Sequence, residues 1–202
     1  VEILKREGVE YLSCFPTTPV IESAAAAGIR PIICRQERVG VGIADGYSRV
    51  TNGEKMGVFA MQYGPGAENA YSGVATAYSD STPMLLLPLG HPTEREGVFP
   101  LFDSLANFAG VTKNVERVNT ANRTSQIMRR AFAALHQGRP GPVMVEVPAD
   151  VALADVAEES FFWGGNARHL GYQGDPSDIY AAAHALCNAK YPVIHAGQGA
   201  LY

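Results

Sequence analysis

One stretch of the sequence joins a short apolar run to a carboxylate and a helix of small residues. Pro31–Cys34 is apolar, brief and rich in β-branched side chains, which predicts a buried strand. Glu37 follows in the predicted first turn of a helix that continues to Val50. The carboxylate is therefore predicted at the carboxyl end of a strand, where open α/β sheets bind ligands. A carboxylate there can also serve only to interact with the helix dipole, and both interpretations remain open at this point.

A second stretch repeats the same design. Lys55–Gln62 predicts another strand, which runs through Gly64-Pro65-Gly66, a tight turn, into a helix over Ala67–Ser79. Glycine in a helix costs up to about 1 kcal/mol relative to alanine. The small residues of the two helices therefore predict close backbone packing, against the sheet or against a partner subunit. They are Gly40, Gly42, Ala44 and Gly46 in the first helix, and Ala70, Gly73 and Ala77 in the second.

The remaining apolar runs extend this alternation. Helices between short apolar strands predict an α/β fold with a doubly wound, mostly parallel six-stranded sheet and helices on both faces. The further predicted strands are Val9–Phe15, Pro83–Leu89, Lys113–Val118 and Val143–Val147, and the further helices are Val20–Ala27 and Thr124–Gln137.

The pattern loosens after residue 152, which sets the predicted domain boundaries. We expect a ligand-binding domain over residues 1–152 and a linker over 153–175. Ser177–Ala189 then predicts a helix and Pro192–Gly199 a strand that enters a Gly-x-Gly turn. One helix and one strand cannot bury a core. We therefore interpret residues 176–202 as the truncated start of a second α/β domain of a longer protein.

Composition excludes several classes of function. The formal charge is −4, with 16 basic and 20 acidic residues and no basic block, which disfavours nucleic-acid binding. No apolar run approaches the roughly 20 residues that span a bilayer. The three cysteines, Cys14, Cys34 and Cys187, are scattered and predict reduced core residues of a cytoplasmic protein without a zinc site.

A nicotinamide- or nucleotide-binding Rossmann domain is a rival interpretation of the same alternation. It requires Gly-x-Gly-x-x-Gly after the first strand. Residues 13–18 contain no glycine, and Gly40-Val41-Gly42 lacks the third one. The sequence therefore disfavours that class.

The order of the motifs resembles the N-terminal, pyrimidine-binding domain of thiamine-diphosphate enzymes of the acetolactate synthase and pyruvate oxidase group. The resemblance covers residues 1 to about 152. The segments that carry it are Arg35-Gln36-Glu37, Ala44-Asp45-Gly46-Tyr47-Ser48-Arg49, Gly64-Pro65-Gly66-Ala67-Glu68-Asn69, residues 75–84 and Gly138-Arg139-Pro140-Gly141-Pro142-Val143. Thr17 and Thr18 depart from the pattern, because the family usually has two glycines there.

The resemblance implies roles for particular residues. In the family, a glutamate hydrogen-bonds the ring nitrogen of the cofactor's aminopyrimidine, and Glu37 matches it. The resemblance thus implies that Glu37 is catalytic and binds cofactor. Loops matching the pyrimidine cradle carry Pro16, Gln62, Pro65 and Asn69.

Two of the assignments have a structural alternative. Asn69 can instead bond the local backbone near the helix start. His91 lies where some relatives place polar residues that face the substrate, although a loop histidine is usually solvated. Asp103-Ser104 replaces the Gln-Glu pair often found in the family's carboligases. The other histidines, His136, His169, His184 and His195, have no catalytic setting.

The resemblance also implies a cofactor and partners. The family binds the diphosphate and Mg²⁺ through Gly-Asp-Gly…Asn in a domain absent from this chain, and Ala44-Asp45-Gly46 lacks the downstream Asn. This chain is therefore expected to supply half of a thiamine diphosphate site and no metal ligand. The family completes the site with a second subunit, which implies a homodimer or homotetramer. Whether FAD is also bound is left open.

The implied function is the N-terminal part of a thiamine-diphosphate-dependent 2-oxo acid decarboxylase or carboligase, acetolactate synthase-like, with pyruvate as an example of the substrate. As an enzyme it would be a lyase or transferase, and this chain alone is expected to be inactive. The alternatives are a non-catalytic regulatory or assembly module that keeps the fold, or one subunit of a split thiamine-diphosphate decarboxylase.

Overall fold

Strands and helices alternate along most of the chain. The computed structural model describes residues 1–16, 18–166 and 173–200, so Thr17 and His169 lie outside the described residues. The strands are β1 (Tyr11–Cys14), β2 (Arg30–Ile33), β3 (Gly57–Met61), β4 (Met84–Gly90), β5 (Asn114–Arg117) and β6 (Pro142–Pro148). The helices are α1 (Glu2–Arg6), α2 (Pro19–Ala26), α3 (Glu37–Val50), α4 (Pro65–Ser79), α5 (Ser104–Phe108), α6 (Thr124–His136), α7 (Ala149–Ala152) and α8 (Pro176–Asn188).

The six strands form one sheet in the order β2-β1-β3-β4-β6-β5, and every pair in it is parallel. This confirms the predicted doubly wound α/β sheet. Because all strands run the same way, the loops that follow them meet at one edge of the sheet. Pro16, Glu37, Gln62 and His91 follow β1, β2, β3 and β4, and this edge is where they lie.

Two apolar clusters hold helices to the two faces of the sheet. One includes Leu4 of α1, Ala24 of α2 and Phe132 of α6, and the other includes Val41 of α3, Val74 of α4 and Phe108 of α5. All seven residues of β4 are buried, as expected for a central strand that is covered on both faces. No described helix combines the length and the apolar character needed to cross a bilayer.

Glycines bring α3 and α4 close to their neighbours. A Cβ added at Gly40 would lie 2.3 Å from the Phe59 ring, and one added at Gly73 would lie 2.3 Å from Val41. The predicted close packing is therefore confirmed at these positions, against the sheet and between the two helices. Gly42 and Gly46 differ, because a Cβ at either one would meet no atom within 4 Å.

Part of the predicted linker packs onto the N-terminal helix. Trp163 Nε1 donates to Glu7 Oε1 at 3.2 Å. The Arg6 guanidinium lies over the rings of Phe161 and Trp163, 5.0 and 5.4 Å from their centroids. These contacts have the geometry of cation–π interactions, and they hold residues 161–163 against the N-terminal helix.

The predicted strand over Pro192–Gly199 is wrong. Residues 193–197 adopt no regular structure, and Gln198–Ala200 form a 3₁₀ turn. A strand is stabilised by hydrogen bonds to a neighbouring strand, and no strand among the described residues pairs with this segment. The preceding helix α8 is observed, with the Asp175 carboxylate accepting from the Ser177 backbone amide at its start. The division into a linker and a second domain stays a prediction.

Two glycines of α3 give opposite predictions for stability. Gly40→Ala should lower the free energy of unfolding by about 1–3 kcal/mol, because the added methyl group overlaps Phe59. Gly42→Ala, two residues away on an open face, should raise it by up to about 1 kcal/mol through helix propensity. Urea unfolding followed by circular dichroism measures both, and equal effects of the two substitutions would contradict this packing.

Candidate functional site

Glu37 occupies the first turn of α3, where the chain leaves β2. Its side chain is only 6% exposed although it carries a carboxylate. Burying an unpaired charge is costly, so buried carboxylates are normally hydrogen-bonded. The amino-terminal end of α3, with its unsatisfied backbone amides and positive dipole end, favours a negative charge at this position.

Asn69 supplies a hydrogen bond to that carboxylate. Its Nδ2 donates to Glu37 Oε2 at 2.8 Å across 32 positions of sequence. The local backbone alternative for Asn69 is thus not what the structure shows. An amide donor holds one carboxylate oxygen in place and leaves the other, Oε1, to accept from elsewhere.

The Gly-Pro-Gly turn lets the backbone at the start of α4 lie close to Oε1. A Cβ added at Gly66 would lie 2.9 Å from Glu37 Oε1 and 2.8 Å from Gln62 Cβ. Gly64 has φ = 54°, a conformation that glycine adopts more readily than other residues. Pro65 then occupies the first turn of α4 and is exposed. Glu37 and Gln62 therefore pack against Gly66, where no larger side chain fits without displacing them.

His91 belongs to the neighbouring part of the edge. Its ring lies against that of Tyr63, with the centroids 4.6 Å apart, and Tyr63 follows Gln62 directly. His91 Nε2 is buried and has no hydrogen-bond partner among the described residues. This histidine is therefore more than a solvated loop residue, and its contact with Tyr63 links the end of β4 to the Gly-Pro-Gly turn.

The loop after β1 lies at the same edge but has no described contact with Glu37. Pro16 is exposed, two residues beyond the end of β1. Thr18 precedes α2 and is buried, yet its hydroxyl makes no cap hydrogen bond and no other hydrogen bond to a described residue. Glu37, Gln62 and Asn69 thus lie close together, whereas Pro16 and Pro65 are exposed at the same edge of the sheet.

The two cysteines near this edge do not supply a reactive thiolate. Burial raises the pKa of the Cys14 thiol to about 11, and burial also raises the pKa of the Cys34 thiol. Cys34 Sγ donates to the Cys14 backbone oxygen at 3.2 Å. Since the thiolate is the nucleophilic form, both cysteines are structural at neutral pH.

Sequence reasoning missed a buried ion pair on the far side of the edge. Arg117 of β5 and Glu146 of β6 are in register on adjacent strands, and Arg117 Nε donates to Glu146 Oε1 at 2.6 Å. Arg117 also pairs with Glu96. Burial alone would lower the pKa of Arg117, but Glu146 and Glu96 hold it above its usual value. The sequence signal for this pair is a charged residue within each of two predicted strands, Arg117 in Lys113–Val118 and Glu146 in Val143–Val147.

The donor set around Glu37 defines what the site can hold. A fixed carboxylate with one free oxygen can accept a hydrogen bond from a ring N–H or an amino group of a flat ligand. Among the described residues, no group of three or more His, Cys, Asp and Glu side chains is arranged to hold a metal ion.

A parallel α/β sheet with a buried carboxylate at its carboxyl edge defines a ligand-binding α/β domain. The family model for the N-terminal TPP-binding domain of thiamine pyrophosphate enzymes matches residues 1–118. The chain therefore belongs to the thiamine pyrophosphate enzyme family.

Acetolactate synthase large subunits are among its relatives. The chain is 32% identical over 210 residues to a probable large subunit of Methanococcus aeolicus, covering all of this chain and 35% of that protein. Its identity to isozyme 3 of Escherichia coli K12 is 32% over 211 residues, again covering all of this chain and 36% of the relative. Its identity to the Haemophilus influenzae large subunit is 33% over 210 residues, with the same coverage of 100% and 36%. The chain thus spans about a third of the length of the curated relatives it matches.

The buried ion pair gives a prediction for stability. Arg117→Met should lower the free energy of unfolding by about 3–5 kcal/mol, because it leaves the Glu146 carboxylate buried without its partner. The double substitution Arg117→Met with Glu146→Met should recover most of that loss, since it removes both charges. Urea unfolding of the three proteins measures the coupling, and a double variant no more stable than the single one would contradict it.

Proposed function

We propose that this chain is the N-terminal part of a thiamine-diphosphate-dependent enzyme that decarboxylates a 2-oxo acid such as pyruvate. The observation that carries the proposal is the buried Glu37 carboxylate, which Asn69 holds by one oxygen and whose other oxygen accepts no hydrogen bond among the described residues. Membership of the thiamine pyrophosphate enzyme family supports it. The names of the acetolactate synthase relatives favour carboligation as the outcome after decarboxylation.

The residues present fit the aminopyrimidine of thiamine diphosphate. A flat heterocycle needs a close backbone approach, which Gly66 permits, and a carboxylate acceptor, which Glu37 supplies. Gln62 adds a polar residue whose Cβ lies beside Gly66. Pro16 and Pro65 are exposed and offer apolar surface at the same edge of the sheet. When bound, thiamine diphosphate supplies the carbanion-stabilising chemistry that cleavage beside an oxo group requires.

In this proposal the Glu37 carboxylate stabilises a proton on one atom of the cofactor, the ring nitrogen of its pyrimidine. The second oxygen of Glu37 would accept a hydrogen bond from an N–H at the pyrimidine ring nitrogen, and Asn69 keeps the carboxylate oriented for it. A charge-assisted hydrogen bond contributes roughly 1.5–3 kcal/mol. That free energy corresponds to a shift of about one to two powers of ten in the tautomer equilibrium of the ring.

The other half of the site is proposed to come from elsewhere in the assembly. Ligands for Mg²⁺ and the diphosphate would belong to a domain outside this chain, and a second subunit would bring that domain to Glu37. Gly42 and Gly46 lie on the open face of α3, which suits close approach of another subunit. A homodimer or homotetramer is therefore part of the proposal.

His91 is proposed to face the substrate. In the part of the chain that the structure describes, its buried Nε2 has no hydrogen-bond partner, and the ring lies against Tyr63, which follows Gln62. Asp103 has a different role, because its carboxylate accepts from the Ala106 backbone amide and caps α5. The Asp103 side chain thus stabilises the loop in this chain.

Substitution of the carboxylate tests the proposed mechanism. In the full-length protein, Glu37→Gln should lower thiamine-diphosphate-dependent consumption of pyruvate by at least tenfold, because the charge-assisted acceptor is lost. The matched control is Glu68→Gln, which changes an exposed carboxylate one residue before Asn69 and should retain activity. Initial rates with and without thiamine diphosphate and Mg²⁺ measure the effect.

Near-normal turnover by the Glu37→Gln protein would remove Glu37 from the mechanism. If the unmodified protein binds thiamine diphosphate but consumes no pyruvate or other 2-oxo acid, the function is that of a non-catalytic relative. Separation of the reaction products distinguishes carboligation from aldehyde release.

A methyl group added at Gly66, beside Glu37, tests the proposed cofactor cradle. Gly66→Ala should weaken the affinity for thiamine diphosphate by at least tenfold, because the new methyl group lies too close to Glu37 Oε1 and Gln62. Gly110→Ala is the matched control, because it makes the same chemical change where the described residues leave open space, away from the face of α3 proposed to meet another subunit. Cofactor titration followed by tryptophan fluorescence measures both, and an unchanged affinity of the Gly66→Ala protein would show that the ring binds elsewhere.

A further inference from the structure

An apolar cavity lies beside the outer strands β1 and β2, on the face of the sheet that α3 covers. Its volume is about 230 Å³. It is lined chiefly by the side chains of Ile32, Val58, Ile43, Ala44, Tyr11 and Tyr47. Tyr11 and Gly57, which also lines the cavity, are the first residues of β1 and β3. The cavity therefore extends toward the amino edge of the sheet, away from Glu37 at the carboxyl edge.

The interior of this cavity offers little to a polar ligand. Apart from the two tyrosines, Ser13 is the lining residue with a hydroxyl, and its Oγ donates to the backbone oxygens of Gly40 and Val58 at 2.8 and 3.1 Å. No charged residue is among the described residues that line the cavity. A water molecule needs several polar partners to remain in such a space. The cavity therefore favours an apolar group over water.

One wall of the cavity is a fixed pair of aromatic rings. The rings of Tyr11 and Tyr47 meet edge to face, with their centroids 5.5 Å apart and an interplanar angle of 76°. The Tyr47 hydroxyl donates to Glu10 Oε2 at 3.1 Å, and Lys55 Nζ donates to the other oxygen of Glu10 at 2.7 Å. A ring that enters beside them can make the edge-to-face or offset contacts that aromatic groups prefer. This wall therefore favours an aromatic ligand over an aliphatic one.

Arg30 adds a positive charge on the same face of the sheet. It begins β2 and is the register partner of Tyr11. Since side chains alternate along a strand, Arg30 shares a face with Ile32, which lines the cavity. Arg30 is exposed and forms no ion pair among the described residues. Glu10 and Lys55 neutralise each other, so an anion at the opening of the cavity meets a net positive charge.

We propose that this cavity binds an aromatic carboxylate, with the ring among the apolar side chains and the carboxylate paired with Arg30 at the opening. An apolar cavity of about 150 Å³ holds a benzene ring. The remaining volume suits a short carbon chain that carries the carboxylate out to Arg30. This site requires neither Glu37 nor thiamine diphosphate, and it goes beyond the function proposed above.

Removal of the charge on Arg30 tests the site. Calorimetric titration with hydrocinnamate, a phenyl ring on a short carboxylate chain, should show saturable binding to the full-length protein saturated with thiamine diphosphate. Arg30→Gln should weaken that affinity by about threefold or more, because the exposed ion pair is lost. The same substitution should leave the affinity for uncharged hydrocinnamyl alcohol unchanged. Arg123→Gln is the matched control, because Arg123 is exposed and precedes α6, which packs on β5 and β6 at the other end of the sheet.

A larger side chain inside the cavity provides the complementary result. Ile43→Trp should abolish saturable hydrocinnamate binding, because Ile43 lines the cavity and an indole there takes the space of the phenyl ring. Val50→Trp is the matched control, since it adds the same group at an exposed position of the same helix. Circular dichroism verifies that both variants are folded. Excess pyruvate should not displace hydrocinnamate, which separates this site from the candidate substrate site.

Any of four outcomes would overturn the proposal. One is an unmodified protein that shows no saturable binding of hydrocinnamate. Another is an Arg30→Gln protein that binds hydrocinnamate as tightly as the Arg123→Gln protein does. The third is a folded Ile43→Trp protein that still binds it. The fourth is displacement by pyruvate, which would place the probe at the candidate substrate site instead.

Discussion

The hydrogen bond between Asn69 and Glu37 is the interaction on which the candidate site depends. It joins the first turn of α3 to the second turn of α4, and it orients a carboxylate that burial would otherwise penalise. The amino-terminal end of α3 favours the same charge. Gly66 lets the backbone of α4 lie close to the second carboxylate oxygen, where a larger side chain would displace it. The site is therefore already organised in this chain, and a ligand need only present a donor to it.

The parallel sheet explains why residues so far apart in sequence meet at this edge. Each βα crossover returns the chain to the same side, so the residues that follow β1 to β4 end close together. Small residues let α3 lie near the sheet and near α4, which brings Asn69 within reach of Glu37. Two charged groups lie at opposite ends of this edge. Glu37 follows β2 at one end, and the Arg117–Glu146 ion pair lies on β5 and β6 at the other.

The sequence predicted the fold well because hydrophobic periodicity and the glycines that mark turns are local signals. It also predicted that Glu37 and Asn69 belong to one site, but not their direct contact, since that depends on how two helices dock. The pairing of Arg117 with Glu146 was missed because the register of parallel strands is set by tertiary packing. The predicted strand at Pro192–Gly199 failed for a related reason, because β-propensity forms no strand without a neighbour.

The most direct test of the account is a crystal structure of the full-length protein with thiamine diphosphate and Mg²⁺. The account predicts that a Glu37 carboxylate oxygen lies within hydrogen-bond distance of the pyrimidine ring nitrogen, while Asn69 still donates to the other oxygen. A cofactor whose pyrimidine lies away from Glu37, or a Glu37 side chain turned out of the cleft, would contradict the central claim.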